Sequence, residues 1–161
     1  MGEENPQSLY HAIGGKPTLE KVHKIFYNTL YAHPWLGQYF HGMPQNVIES
    51  QQTDFMTFAM GGPEVYSSKF PAPTHKHMYI TEEMFDLRQA VLKQSLEKAQ
   101  VPAELAGKWL NIDASFRNGL VKASVADCEK RYPTDCILNF QNPLAREDTT
   151  QHPNLRQQPQ G

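Results

Sequence analysis

The chain has 161 residues, of which 39% are hydrophobic and 20% charged, so it is long enough to bury a core of its own as one domain. A net charge of -2 and a pI near 6.4 give no electrostatic footprint for nucleic acid or anionic lipid. No apolar run is long enough to cross a bilayer, and the opening stretch MGEENPQSLY lacks the basic and apolar regions of a signal peptide, so we expect a soluble, cytoplasmic protein.

The first part of the chain predicts a short helix followed by a long one. Residues 8 to 13 favour a helix that stops at Gly14-Gly15, and Pro17 then suits a first helical turn. We expect an amphipathic helix of about 16 residues that closes at the His33-Pro34 step. Its apolar positions at helical spacing are Leu19, Val22, Phe26 and Leu30.

A second long helix is predicted from about Asn46, a candidate N-cap, to Met60. An aromatic corner, PWLGQYF, precedes it, and Gly61-Gly62-Pro63 ends it. From there to Thr74 the chain is rich in Gly, Pro and Ser, so an irregular segment is expected. The face that this helix turns inward carries Val47, Ile48, Gln52, Phe55, Met56 and Ala59.

Two further helices complete the prediction. Thr81 followed by two glutamates reads as an N-cap, and the helix it opens extends to about Gln100. After Val101-Pro102 a last helix is expected from about Ala103 to Lys130. No period-2 pattern recurs often enough to build a sheet, so the fold class is all-α. We assign residues 1–140 to one helical domain and residues 141–161, which are polar, to a disordered tail.

Cys128 and Cys136 are too few for a disulfide framework and lack the partners of a zinc site. The sequence leaves a single disulfide between them as an alternative, although we expect both thiols to be reduced and without a catalytic role.

His75 and His77, two positions apart, raise a different question. In a helical turn they are about 200° apart and point to opposite sides, whereas an extended segment would let them share a metal. Taken alone, each is read first as a surface or capping residue.

At this point the sequence resembles the truncated haemoglobins, most closely their first group, over about residues 8 to 126. The resemblance lies in the order of two glycine motifs, a Phe-Tyr pair, an aromatic corner and a histidine five residues before Ile80. The matching stretches are LYHAIGGKPTLEKVHKIFYNTLYAHPWLGQYF, FAMGGPEVYSSK and HKHMYITEEMF. It implies a two-over-two helical sandwich with a long last helix that binds one haem b.

The resemblance also implies roles for individual residues. His75 would be the proximal ligand of the haem iron through Nε2, and Tyr27 and Gln52 would face a diatomic ligand on the distal side. Phe40 would lie against the porphyrin, and His77 would be left facing outward. The remaining pocket residues implied by the resemblance are Ile48, Phe55, Met56, Tyr66, Met78 and Phe85.

In two places the chain departs from the family. Many first-group members carry a basic residue just before the distal glutamine, where this chain has Gln51, so Lys69, His77 or Arg88 would have to contact a haem propionate. Another group has a tryptophan early in the helix after the proximal histidine, where this chain has Arg88.

The function that the resemblance implies is reversible binding of dioxygen, or of nitric oxide or carbon monoxide. The alternatives are a redox enzyme that oxidises nitric oxide or reduces peroxide with a partner reductase, a haem-free sensor of globin fold, and a metal module built on His75 and His77. We expect no catalytic residue beyond the haem site, and no nucleic-acid or membrane partner.

Overall fold

The computed structural model describes residues 8–63 and 71–143. Their helices are α1 (Leu9–Ile13), α2 (Lys16–Ala32), α3 (Gln45–Ala59), α4 (Pro71–Thr74), α5 (Glu82–Lys98), α6 (Ala103–Ala114) and α7 (Arg117–Leu120), with 3-10 turns at Leu36–Phe40 and Val125–Asp127. No strand occurs in this part of the chain, where residues pair in β fashion at two isolated bridges. The all-α class is confirmed.

Helices α2, α3, α5 and α6 form the body of the molecule. α2 packs against both α3 and α5, and α5 packs against α6, so the helices stack in two layers of two. The predicted stripe on α2 is the centre of the core, where Leu19 and Val22 are fully buried and Phe26 is 1% exposed. Burying each such side chain contributes about 1.5–3 kcal/mol, so this stripe fixes how α2 sits between its neighbours.

The predicted helix ends agree with the structure where local chemistry dictates them. Gly14 and Gly15 have φ of 107° and 73°, which favour glycine, and they end α1 before α2 begins. The hydroxyl of Thr81 accepts a hydrogen bond from the backbone N–H of Met84 at 3.1 Å, as expected of the N-cap of α5. Helix α3 starts one residue before Asn46, so the predicted cap there is wrong and Pro44 takes the position.

The predicted last helix is wrong in its second half, because α6 ends at Ala114. The hydroxyl of Ser115 donates to the carbonyl of Ile112 at 2.6 Å, in place of a bond that would continue the helix. The single turn α7 follows and ends at Val121, whose backbone is extended. Residues 121–140, which we call the C-terminal strap, then return across the segment that carries His75 and His77. Of the predicted tail, residues 144–161 lie outside the described residues, and the domain boundary at 140 stays a prediction.

Within residues 8–63 and 71–143, no helix combines the length and apolar character needed to cross a membrane. Cys128 and Cys136 are both free thiols in the structure.

Candidate functional site

A cavity of about 880 Å³ lies between α2, α3, α5 and the strap. Its volume falls in the range of sites that hold a whole organic cofactor and exceeds what a diatomic molecule needs. Apolar side chains form most of its wall. The structure places around it the predicted residues Tyr27, Phe40, Ile48, Gln52, Phe55, Met56, His75, Met78 and Phe85. Tyr66 and Lys69 lie outside the described residues.

His75 stands on the cavity wall just after the short helix α4. Its Nδ1 lies 2.7 Å from the carbonyl oxygen of Pro71, which can only accept, so Nδ1 carries the ring proton. Burial lowers the pKa of His75 to about 4, against the opposing effect of the Pro71 bond, and the ring is therefore neutral. A neutral ring protonated at Nδ1 has its lone pair on Nε2, the form in which histidine binds a metal.

His77 does not face outward, and the expectation that it would is wrong. The residue is 3% exposed and lines the same cavity as His75. The helical geometry behind the expectation ends at Thr74, since the chain then turns and Leu138 of the strap donates its N–H to the carbonyl of His77 at 2.9 Å. The Nδ1 atom of His77 has no hydrogen-bond partner among the described residues. A buried polar atom of this kind calls for a partner that the cavity contents would supply.

Tyr27 on α2 and Gln52 on α3 line the same cavity. Tyr27 is 6% exposed, and burial raises the pKa of its hydroxyl, so the phenol keeps its proton and can donate. The ring of Phe40 meets that of Tyr27 edge-on at 6.0 Å and stacks on Tyr31 at 4.7 Å. Gln52 is half-buried at the cavity. The two donors therefore reach one space from different helices.

The C-terminal strap forms a wall of the cavity that the sequence analysis missed. Parallel bridges join Leu138 to Met78 and Val121 to Ile80, directly after the turn that carries His75 and His77, which we call the histidine turn. The ring N–H of Trp35 donates to the carbonyl of Phe140 at 2.7 Å and fastens the far end. The strap side chains that line the cavity are Arg131, Tyr132, Thr134, Asp135, Cys136 and Leu138. The apolar run at Ile137, Leu138 and Phe140 was the available signal, because it lies between the end of the predicted last helix at Lys130 and the predicted tail, and apolar side chains there need a surface to pack against.

Two ion pairs border the cavity. Arg88 on α5 donates from Nη1 to Oδ2 of the buried Asp113 at 2.7 Å. Arg131, an exposed residue of the strap, binds the buried Asp135 through two bonds of 2.7 and 2.9 Å. Burial, together with the positive charge of Arg131, lowers the pKa of His77. Of these four residues, only Arg88 was predicted from the sequence, as one candidate contact for a haem propionate.

Protein side chains alone do not form a closed metal site in the described ranges. No group of three or more His, Cys, Asp or Glu residues comes close enough to hold an ion there. A single imidazole with a free Nε2 beside a large apolar cavity instead suits a metal that brings its other ligands with it, as a porphyrin does.

Comparisons with known proteins agree with this geometry. A model of the bacterial-like globin family matches residues 8–119. A group 1 truncated haemoglobin of Mycolicibacterium paratuberculosis is 33% identical over 105 residues, which is 65% of this chain and 77% of that protein. One of Tetrahymena pyriformis is 31% identical over 81 residues, or 50% of this chain and 67% of that protein. A crystal structure of T. pyriformis truncated haemoglobin in its Fe(III) form, 24% identical, covers 71% of this chain and 98% of its own with a TM-score of 0.66. The chain therefore belongs to the bacterial-like globin family, as a truncated haemoglobin.

Proposed function

We propose that this protein binds haem b in the cavity and uses it to bind dioxygen reversibly. The observation that carries the proposal is the bond from His75 Nδ1 to the carbonyl of Pro71, which leaves Nε2 as a ligand at the wall of a cofactor-sized cavity. Haem iron, when bound, supplies a coordination position for a diatomic molecule. The remaining steps depend on side chains of the chain itself.

Two contacts hold the turn that carries His75 in place. Helix α4 presents the Pro71 carbonyl to the imidazole, and Lys122 of the strap donates from Nζ to the carbonyl of His75 at 3.1 Å. The ring orientation is therefore fixed before any cofactor enters, and a hydrogen-bonded Nδ1–H also makes Nε2 a stronger donor to a metal.

On the distal side, Tyr27 and Gln52 would donate hydrogen bonds to a ligand that acquires negative charge. The phenol stays protonated because burial raises the pKa of Tyr27, and the amide of Gln52 supplies a second donor from α3. A hydrogen bond is worth about 1 kcal/mol net, and more when the acceptor is charged. Dioxygen should therefore leave more slowly than from a cavity without these donors.

The acidic groups of the cofactor would lie toward the strap. His77 offers an unpaired Nδ1 there, and Arg131 adds positive charge at the exposed rim. Arg88 is the poorer choice for this contact, because its guanidinium is paired with Asp113 and packs on the ring of Phe26, which in turn contacts the ring of Tyr27 on the proposed distal side.

Absorption spectra of the purified protein, with haem added, test the proposal. We expect a Soret band in the ferric form and the shift typical of a haem protein on reduction and addition of carbon monoxide. In a His75→Gly variant the ferrous spectrum should change, and added imidazole should restore it. His41→Ala, which removes an exposed histidine that also lines the cavity, is the matched control and should keep the ferrous spectrum.

Two results would contradict the proposal in different ways. Failure of the protein to take up haem would exclude the function. Haem uptake with an unaltered spectrum in the His75→Gly variant would exclude His75 as the ligand.

A further inference from the structure

Arg88 brings a permanent positive charge into the cavity, and the proposed function does not use it. Its side chain is 27% exposed, whereas that of its partner Asp113 is 5% exposed. The aromatic side chains packed on the guanidinium, Phe26 and Phe85, are each 1% exposed. The exposed part of Arg88 therefore faces the cavity, whose lining it joins, rather than bulk solvent.

The guanidinium lies at the end of the cavity where Tyr27 stands. Its central carbon is 5.3 Å from the centroid of the Phe26 ring and 5.9 Å from that of Phe85. The Phe26 ring in turn meets the Tyr27 ring edge-on at 4.9 Å. The charge of Arg88 acts on the hydroxyl of Tyr27, whose pKa it lowers against the larger opposing effect of burial.

The ion pair with Asp113 occupies only some of the N–H donors of Arg88. One nitrogen, Nη1, reaches Oδ2 of Asp113, and the side chain of Gln89 donates to the same oxygen at 3.1 Å. A guanidinium carries five N–H groups, so donors remain beyond the one that Asp113 binds. Both residues line the cavity, but the side chain of Arg88 is 27% exposed, whereas that of Asp113 is 5% exposed and its Oδ2 also accepts from Gln89. The cation is therefore the more accessible charge of the pair.

We propose that Arg88 makes the Tyr27 end of the cavity selective for small anionic ligands, such as azide or nitrite, over neutral ones. A cation that is already held in place costs no reorganisation when an anion arrives, and among buried side chains such as Phe26 and Phe85 its attraction is stronger than at the surface. Tyr27 and Arg88 would then donate to the same anion. The inference rests on the proposed function, because such an anion is taken up at the haem.

Anion and neutral-ligand affinities, measured side by side, test the inference. Replacing Arg88 alone would strand the Asp113 carboxylate, so the test variant is the double replacement Arg88→Met, Asp113→Asn, which removes both charges and leaves Gln89 a partner. Ferric protein would be titrated with azide and ferrous protein with carbon monoxide, both followed by absorption. Arg88→Lys keeps the charge but lacks the planar fork.

In the double variant we expect the azide Kd to rise at least about tenfold, because a hydrogen bond to a charged group is lost together with the field of the cation. Carbon monoxide affinity should stay within about threefold, and Arg88→Lys should fall between the wild type and the double variant. Arg117→Met is the matched control, since Arg117 also lies over the Phe85 ring, at 4.5 Å, but binds Asp86 and Glu82 on the surface and does not line the cavity.

Equal changes in azide and carbon monoxide affinity, or no change in either, would overturn the inference. So would a faster loss of haem with azide affinity unaltered, which would assign Arg88 to a carboxylate of the cofactor. These outcomes are separable from a failure of the proposed function, because that failure appears as an absent Soret band in the wild type.

Discussion

The imidazole of His75 is ready for a metal before any metal binds. A single backbone carbonyl, that of Pro71, fixes the tautomer by accepting from Nδ1 at 2.7 Å, and burial keeps the ring neutral. Tyr27 and Gln52 line the same cavity as neutral donors. In the proposed function, ligand binding depends on a few atoms of these side chains, and replacing them one or two at a time tests it.

Replacing Tyr27 by Phe together with Gln52 by Leu should speed dioxygen release by roughly tenfold or more, because two hydrogen bonds of about 1 kcal/mol each are lost. Stopped-flow displacement of dioxygen by carbon monoxide measures the rate. Tyr31→Phe is the control, since Tyr31 stacks on Phe40 but donates to the carbonyl of Met43. An unaltered rate in the double variant would mean that Tyr27 and Gln52 do not contact the ligand.

His77→Leu should lose haem to an acceptor globin about tenfold faster, because the carboxylate of the cofactor would lose a hydrogen bond and its burial would go uncompensated. His41→Leu is the control, since His41 is an exposed histidine that also lines the cavity. Equal loss rates in wild type and His77→Leu would leave the unpaired Nδ1 of His77 without a role in holding haem.

Among the elements, the C-terminal strap holds the histidine turn in place. Its residues Val121 and Leu138 bridge to the chain on both sides of Tyr79, and its end is tied to the aromatic corner through Trp35 and Tyr39. Since the match to the family model ends at residue 119, the strap lies beyond the matched region and still supplies a wall of the cavity.

Changing Trp35 and Tyr39 to Phe together should loosen the strap, because the N–H and carbonyl of Phe140 lose the side-chain partners that hold them. Trypsin should then cut after Lys122, Lys130 or Arg131 several-fold faster, because the free energy needed to open the strap locally is lower. Tyr79→Phe, which loses a bond of 3.4 Å to the strap at Ala123, is the control. An unchanged cleavage time course would show that the strap does not depend on these two side chains.

Helices α2, α3 and α6 meet at His23, which is 1% exposed. Its Nδ1 lies 2.8 Å from the hydroxyl of Thr53, and its ring packs edge-on against Trp109 at 5.4 Å. Burial, with a smaller contribution from the charge of Arg88, lowers the pKa of His23 from 6.5 to about 3. Between those two values the unfolded chain binds a proton that the folded chain does not.

The free energy of unfolding of the apoprotein should therefore fall as the pH drops below 6.5, with His23 contributing up to about 1.4 kcal/mol per pH unit until its folded pKa is reached. His23→Gln, which can still bond Thr53, should reduce this slope, measured by urea unfolding at several pH values. His41→Gln controls for the loss of a histidine as such. A slope in His23→Gln that equals the wild-type slope would contradict the assignment.

For the molecule as a whole, the cavity would couple cofactor binding to folding. Side chains that line a space of about 880 Å³ have no atoms to pack against on the cavity side, so the apoprotein lacks van der Waals contacts that a filled core would make. Haem that binds the folded state alone stabilises it by RT ln(1 + [L]/Kd), about 4 kcal/mol at a thousandfold excess over Kd.

The midpoint of thermal unfolding should therefore rise with haem concentration, by several degrees for each kcal/mol. Calorimetry of apoprotein and reconstituted protein measures the shift. The same titration of the His75→Gly variant, where coordination is lost, should give a smaller rise. A midpoint that does not depend on haem would contradict the link between the cavity and folding.

Elements that depend on neighbouring residues could be predicted from the amino-acid sequence. The apolar stripe of α2, the Gly14-Gly15 stop and the Thr81 cap depend on spacing and on backbone preferences that neighbouring residues set, and all three agree with the structure. The family resemblance also selected, by residue number, side chains that prove to share one cavity.

Features that depend on contacts between residues distant along the chain were seen only in the tertiary structure. His77 faces the cavity because Leu138, 61 positions later, pairs with its backbone, and no local pattern records that pairing. Arg88 is held at the cavity by a hydrogen-bonded ion pair with Asp113, which lies 25 positions away on another helix. The end of α6 at Ala114 frees the strap to cross the histidine turn. Local propensity can place a helix, but which polar atoms meet across a cavity is fixed only when separate elements pack together.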